Sequence, residues 1–133
     1  MNEHSLLVSK MIAFVYPLVL IIGVYIIVFG HVTPGGGFQG GALLATVFIC
    51  RYLETSQEDI EIKKLLKLEK IMFIAIILLP SIYLFLQLVP VFDKTNIVYL
   101  VCMNALIGLK VCIGLSIIFY RFVFYEGGNK WRL

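Results

Sequence analysis

Hydrophobic positions in this chain fall in four long runs, not in the alternating or one-faced patterns of water-facing strands and helices. Met11–Phe29 is nineteen residues without a charge, and Ile71–Val89 is another nineteen. Ile97–Phe124 is longer and is interrupted by Lys110 and Arg121. The remaining run comes after a glycine cluster and counts thirteen residues from Phe38 to Cys50, or nineteen from Gly35 to Leu53. A membrane-crossing helix needs about 20 apolar residues. The pattern therefore predicts an all-α membrane protein with four transmembrane helices, over residues 11–29, 35–53, 71–89 and 97–124 of a single domain, 1–133. The second run is short, so a re-entrant hairpin is its rival reading. The first is too long for a signal-peptide core and no small-residue cleavage pattern comes after it, so it reads as a retained helix. The last would run about 42 Å against a hydrocarbon core of about 30 Å. It tilts, or its Tyr120–Tyr125 end lies in the interface as an aromatic belt.

Composition agrees: 61% of the residues are hydrophobic and 14% charged, where a soluble domain carries about a quarter charged. Charge placement adds orientation. With four spans, nine basic residues share the side of both termini and of the polar segment Arg51–Lys70, and Lys94 stands alone on the other. That asymmetry predicts an N-in, C-in topology, with the glycine-rich loop between helices 1 and 2 on the outer side. Arg51–Lys70 carries five basic and five acidic residues. It reads as an amphipathic lead-in to the third helix with a solvated charged face, and Ser56 with Asp59 resembles a capping box.

Candidate chemistry is sparse. Gly30, Gly35, Gly36, Gly37, Gly40 and Gly41 fall within twelve residues, with Pro34 among them. Such a backbone turns sharply and presents N–H groups to an ion, or is an ordinary turn. His31 is a hydrogen-bonded loop histidine or a proton-entry residue at the outer surface. Gly37, Gly41 and Ala45, four apart, permit close helix packing within the chain or on a partner. Lys110 lies near mid-membrane, where a lysine costs about 2.5–3.5 kcal/mol. No acid falls in any of the four predicted spans, so its counter-charge is expected from another subunit. Three roles stay open for it: a static ion pair that positions subunits, a proton or ion relay, or a water-facing bystander. Asn104, Gly108, Cys112 and Ser116 form a small, weakly polar stripe on the opposite side of the same helix. The fourth helix is thus expected to have protein on both sides.

Several classes drop out. Cys50, Cys102 and Cys112 have no metal or disulfide spacing, so neither a metal site nor a disulfide framework is expected. No phosphate loop, Ser/His/Asp set or intramembrane carboxylate pair suggests an independent enzyme. The basic residues of the long polar segment are matched by acids, which argues against nucleic acid.

Two stretches together resemble one family. GHVTPGGGFQGG leading into an apolar helix is similar to the loop–helix motif of the MnhB/MrpB family, and NALIGLKVCIGLSIIF, Asn104–Phe119, resembles that family's last helix. The matching positions are Gly30, His31, Pro34, Gly35, Gly36, Gly37, Gly40, Gly41, Asn104, Gly108, Lys110 and Gly114. The resemblance implies a small, non-catalytic subunit of a multisubunit Mrp-type Na+/H+ antiporter in a prokaryotic inner membrane, both termini cytoplasmic. Its partners would be the other antiporter subunits, with no cofactor on this one. Similar subunits occur in complex I-related membrane-bound hydrogenases, so a purely structural role in a redox-driven pump is the alternative. On this reading Lys110, His31 and Asn104 are candidates for an ion or proton pathway or a subunit contact. Ala45, Gly108, Cys112, Gly114 and Ser116 are candidates for helix packing.

Overall fold

In hydrocarbon a backbone has no water to bond to, so each apolar run satisfies its own N–H and C=O groups as a helix. The computed structural model describes residues 3–55, 62–87 and 96–126, and among these it holds four α-helices and no strand. They are α1 (Glu3–Phe29), α2 (Gly37–Thr55), α3 (Ile62–Gln87) and α4 (Asn96–Glu126). The expected Ser56–Asp59 capping box lies outside the described residues, as does Lys94.

Three helices contain stretches long and apolar enough to cross a membrane: Ser9–Phe29, Ile62–Leu86 and Ile97–Val123. The apolar part of α2, Gly37–Arg51, is shorter. Still, α2 is one unbroken helix of 19 residues, with no hairpin within it. The largest departure from expectation is at α3, which begins at Ile62 and not near residue 71. Ile62–Lys70 has the helical spacing of its apolar residues in phase with the span. The amphipathic lead-in and the span are therefore one helix of 26 residues.

Prolines 17 and 80 sit inside α1 and α3 without ending them. Ser81 Oγ donates to the Ile77 carbonyl at 3.0 Å, beside the bond that Pro80 cannot make. Thr46 and Ser116 likewise donate to Ala42 and Cys112, at 3.0 and 2.8 Å. Back-bonding of this kind hides a hydroxyl within its own helix.

The arrangement centres on α4, which packs against α1, α2 and α3, whereas α3 packs on α4 alone among the described residues. The α2–α4 contact is built on backbone. A Cβ added at Gly41 would lie 2.9 Å from the Gly108 Cα, and one at Gly37 would lie 2.9 Å from Ile107 Cβ and overlap the Asn104 carbonyl oxygen. Contacts advance together along both helices, so α2 and α4 run parallel, with the Gly37–Gly41–Ala45 stripe level with Asn104–Gly108–Cys112. Ala45, Cys112 and Ser116 are buried there. On its other side α2 meets α1, where a Cβ at Gly40 would lie 2.7 Å from the Gly23 carbonyl oxygen. Lipid tails are as apolar as leucine, so helices associate in a membrane by close packing more than by the hydrophobic effect.

Few of the described residues are buried. Ile27, Val47, Ile117 and Tyr120 complete the core, while Phe14, Phe85 and Phe122 stand mostly exposed. No residue of the α3 span is buried. These faces suit lipid or other subunits, and water would not tolerate so much of them.

Gly41→Leu is expected to destabilise the detergent-solubilised chain by about 2 kcal/mol or more, because overpacking at a backbone contact forces the helices apart. Gly114→Ala is the control: a Cβ there meets nothing within 4 Å, so its thermal midpoint should not fall. Equal midpoints for wild type and Gly41→Leu would mean that the α2–α4 contact does not hold the fold together.

Candidate functional site

Lys110 finds its counter-charge within the chain. Its Nζ lies 3.4 Å from Glu69 Oε1 and 4.3 Å from the centroid of the Phe73 ring. This corrects the expectation that the acid must come from another subunit. The reason is the early start of α3: Glu69, which hydropathy assigns to the polar segment, sits on the same helix as the span, one turn before Phe73. Antiparallel packing brings both level with Lys110, as it brings Tyr83 to stack on Tyr99 nearer the other end, with centroids 4.0 Å apart. A carboxylate and the face of an aromatic ring are the two kinds of group that stabilise an ammonium in a poorly solvated place.

The pair is only partly covered, with side-chain exposures of 29% for Lys110 and 30% for Glu69. Among the described residues α3 reaches no helix but α4, so one flank of the pair stays open. Lys110 lies midway along the Ile97–Val123 stretch. An ion pair there is reachable by water or by a polar group of another subunit.

The glycine-rich connection lies at the far end of α1 and the near end of α2. It closes off α1: Val32 N and Thr33 N both donate to the Phe29 carbonyl at 2.9 Å, and Thr33 Oγ1 donates to the same oxygen at 3.0 Å. His31 Nδ1 lies 3.0 Å from the Val28 carbonyl oxygen. That bond requires the proton on Nδ1, so His31 also serves as a cap for the helix end. Gly35 and Gly36 have φ of 144° and 119°, a region that residues with a Cβ rarely adopt. They double the chain back so tightly that a Cβ at Gly30 would overlap Gly36. Pro34 is exposed beside them.

Asn104 meets this connection. Its Oδ1 lies 3.8 Å from where a Gly36 Cβ would stand, and its carbonyl underlies Gly37. Asn104 and the glycine turn therefore form one cluster, with His31 capping α1 in the same connection. Lys110 is elsewhere, six residues or about 9 Å further along α4 and on the face turned to α3. Of the remaining candidates, Ala45, Gly108, Cys112 and Ser116 lie in the α2–α4 contact or buried beside it, but Gly114 faces open space. Among the described residues no group of three His, Cys, Asp or Glu side chains is placed to hold a metal ion. The partners that sequence reasoning misses are Glu69 and Phe73. The signal exists: Ile62, Leu65, Leu66 and Glu69 share one helical face, and Phe73 extends it.

Comparison with known proteins gives a coherent picture. Residues 7–125 match the family model described as a domain related to the MnhB subunit of a Na+/H+ antiporter. The "Uncharacterized protein MJ1307" of Methanocaldococcus jannaschii is 30% identical over 128 residues, covering 82% of this chain and 49% of the relative. The "Putative antiporter subunit mnhB2" of Staphylococcus aureus strain Newman is 32% identical over 60 residues, covering 45% of this chain and 43% of the relative. The chain thus spans about half the length of the curated relatives it matches. No solved structure matches it.

A double-mutant cycle tests the pair. Lys110→Met and Glu69→Gln should each destabilise the chain, and the double variant less than their sum, with a coupling of about 1 kcal/mol. Additive effects on the thermal midpoint would show that the two side chains do not interact.

Proposed function

The chain belongs to the family of domains related to the MnhB subunit of Na+/H+ antiporters, and from that premise we propose that it is a membrane subunit of a multisubunit cation/proton antiporter. The observation that carries this reading is the family match over residues 7–125 joined to an ion pair between Lys110, midway along the Ile97–Val123 stretch, and Glu69, two residues before the uncharged run that starts at Ile71. Ionisable side chains at membrane depth mark ion and proton pathways more often than anything else.

In this reading α2 is the fourth crossing, completed by Gly35, Gly36 and the polar residues at its far end and held between α1 and α4. Both termini and the Arg51–Lys70 segment face the cytoplasm of a prokaryotic cell, and the glycine turn with His31 faces out. Reporter fusions after residue 133 should then be active only for a cytoplasmic reporter, and fusions at Pro34 only for an external one. The reverse pattern would overturn the orientation.

The Lys110–Glu69 pair acts as a proton-handling step on the flank of the antiporter module. A proton arriving from a partner subunit neutralises Glu69 and frees Lys110, whose charge then repels or replaces the travelling cation. The chain itself binds no cofactor and carries out no covalent chemistry. The rival, purely structural role rests on small-residue stripes available to other subunits. Gly37, Gly41 and Gly108 face each other within the chain, which weakens that cue and favours the transport role.

Lys110→Ala and Glu69→Gln are each expected to lower Na+/H+ exchange in everted vesicles at least several-fold, with the subunit content of the complex unchanged. Normal exchange with normal assembly would exclude the pair from transport, and lost assembly would make it structural. Gentle purification with mass spectrometry should return antiporter subunits. Iron–sulfur or nickel-bearing subunits in their place would move the chain into a redox-driven pump.

A further inference from the structure

α1 and α2 are clamped at Gly23 and Gly40 but diverge towards the end that carries Lys10 and Arg51. The larger side chains there hold the helices apart and leave a groove of about 320 Å³, lined by Met11, Ile12, Val15, Tyr16, Val47 and Cys50 among others. Its walls are apolar. Thr46 also lines it, but its Oγ1 is turned to the Ala42 carbonyl at 3.0 Å.

The mouth is different. Arg51, at the α2 end of the groove, donates from Nη1 to Tyr16 Oη at 3.5 Å, and its guanidinium carbon lies 5.7 Å from the centre of the Tyr16 ring. Those contacts hold the guanidinium across the opening, and Arg51 remains exposed. Lys10, also exposed, directly precedes Met11. An apolar slot that runs along two helices and ends at two basic side chains suits a phospholipid: tail within, phosphate at the mouth.

The lining from Met11 to Val19 spans about 12 Å of helix axis, so the groove takes a stretch of an acyl chain laid along α1 and α2.

We infer that the α1–α2 groove binds an acyl chain of an anionic phospholipid, with its phosphate on Arg51 and Lys10. Bound there, the lipid fills the divergent half of the α1–α2 contact, where the clamp of glycines gives out. The inference rests on the membrane-spanning reading and is independent of the antiporter role; resistance of the wild-type chain to carbonate extraction checks the former separately.

The test is native mass spectrometry of the full chain in detergent, titrated with phosphatidylglycerol or with phosphatidylcholine of the same acyl chains. Phosphatidylglycerol should be retained about tenfold more strongly, as expected for two basic groups at a headgroup. Arg51→Gln with Lys10→Gln should reduce it to the phosphatidylcholine level. Val15→Trp, which fills the groove from its exposed rim, should weaken both lipids while helical circular dichroism stays unchanged; if helicity falls, Met11→Trp serves the same purpose. Equal retention of the two lipids by the wild type, or full retention by the groove-filling variant, overturns the proposal. So does a photo-cross-linker at Val15 in the purified complex that captures another subunit and no lipid.

Discussion

A Cβ at Gly41 would stand 2.9 Å from the Cα of Gly108, so α2 and α4 lie almost backbone to backbone. In a membrane that proximity matters more than the amount of apolar surface, because burial gains little over contact with lipid. Close approach multiplies weak contacts between main chains, and any side chain at Gly41, even the single methyl of alanine, would force them apart. The resulting parallel register places Asn104 beneath the glycine turn. It also presents α2's other face to α1 at Gly40. The positions of α1 and of the turn thus depend on one glycine-to-glycine contact.

With one side of α4 committed to α2, its opposite side is left for α3, and there the chemistry changes. Tyr83 stacks on Tyr99 near one end and Phe73 with Glu69 receives Lys110 further along. Polar and aromatic contacts hold this pair of helices, where glycine holds the other. Such contacts are fewer and depend on charge. Among the described residues α3 has no second helix to lean on, and it buries no residue of its span. The element that carries the counter-charge is therefore the one least constrained by the rest of the chain, which suits the proposed proton-handling role of the pair.

Much of this is legible in the sequence. Nineteen uncharged residues in a row can hardly be anything but a membrane helix, and the four-residue spacing of Gly37, Gly41 and Ala45 announces close packing. The two-sided character of α4 comes from the 100° step between residues. Glu69 escapes notice for a physical reason. Hydropathy places a span boundary where charge begins, whereas a helix ends where its backbone bonding ends. Ile62–Lys70 is polar in composition, yet the same helix continues unbroken into the apolar residues from Ile71 onward, so its acid comes level with Lys110 on the face of α3 turned to α4. Nor can the sequence say that His31 bonds to the Val28 carbonyl, because a histidine two residues past a helix end caps it only if the chain turns back, and that turn depends on Gly35 and Gly36. Gly114 errs in the other direction: it falls in a glycine-containing motif, yet its side of α4 faces nothing within 4 Å.

The two ends of the molecule consequently differ in kind. At the glycine end, α1, α2 and α4 approach closely and the turn stacks on Asn104. At the basic end, α1 and α2 diverge around Tyr16 and Arg51, and the flank of α3 stands open beside Glu69. Close packing does not stop at the glycines: past Lys110 the α2–α4 contact continues through Ala45, Cys112 and Ser116, and Ile117 and Tyr120 are buried beyond it. What uncovers the ion pair is the opposite face of α4, where α3 packs and, among the described residues, leans on no other helix. Lys110 stands two residues from both Gly108 and Cys112, a step of about 200° around the helix, so the small residues that turn to α2 leave it on the face turned to α3. The exposure of the pair is thus a consequence of which side of α4 the small residues take.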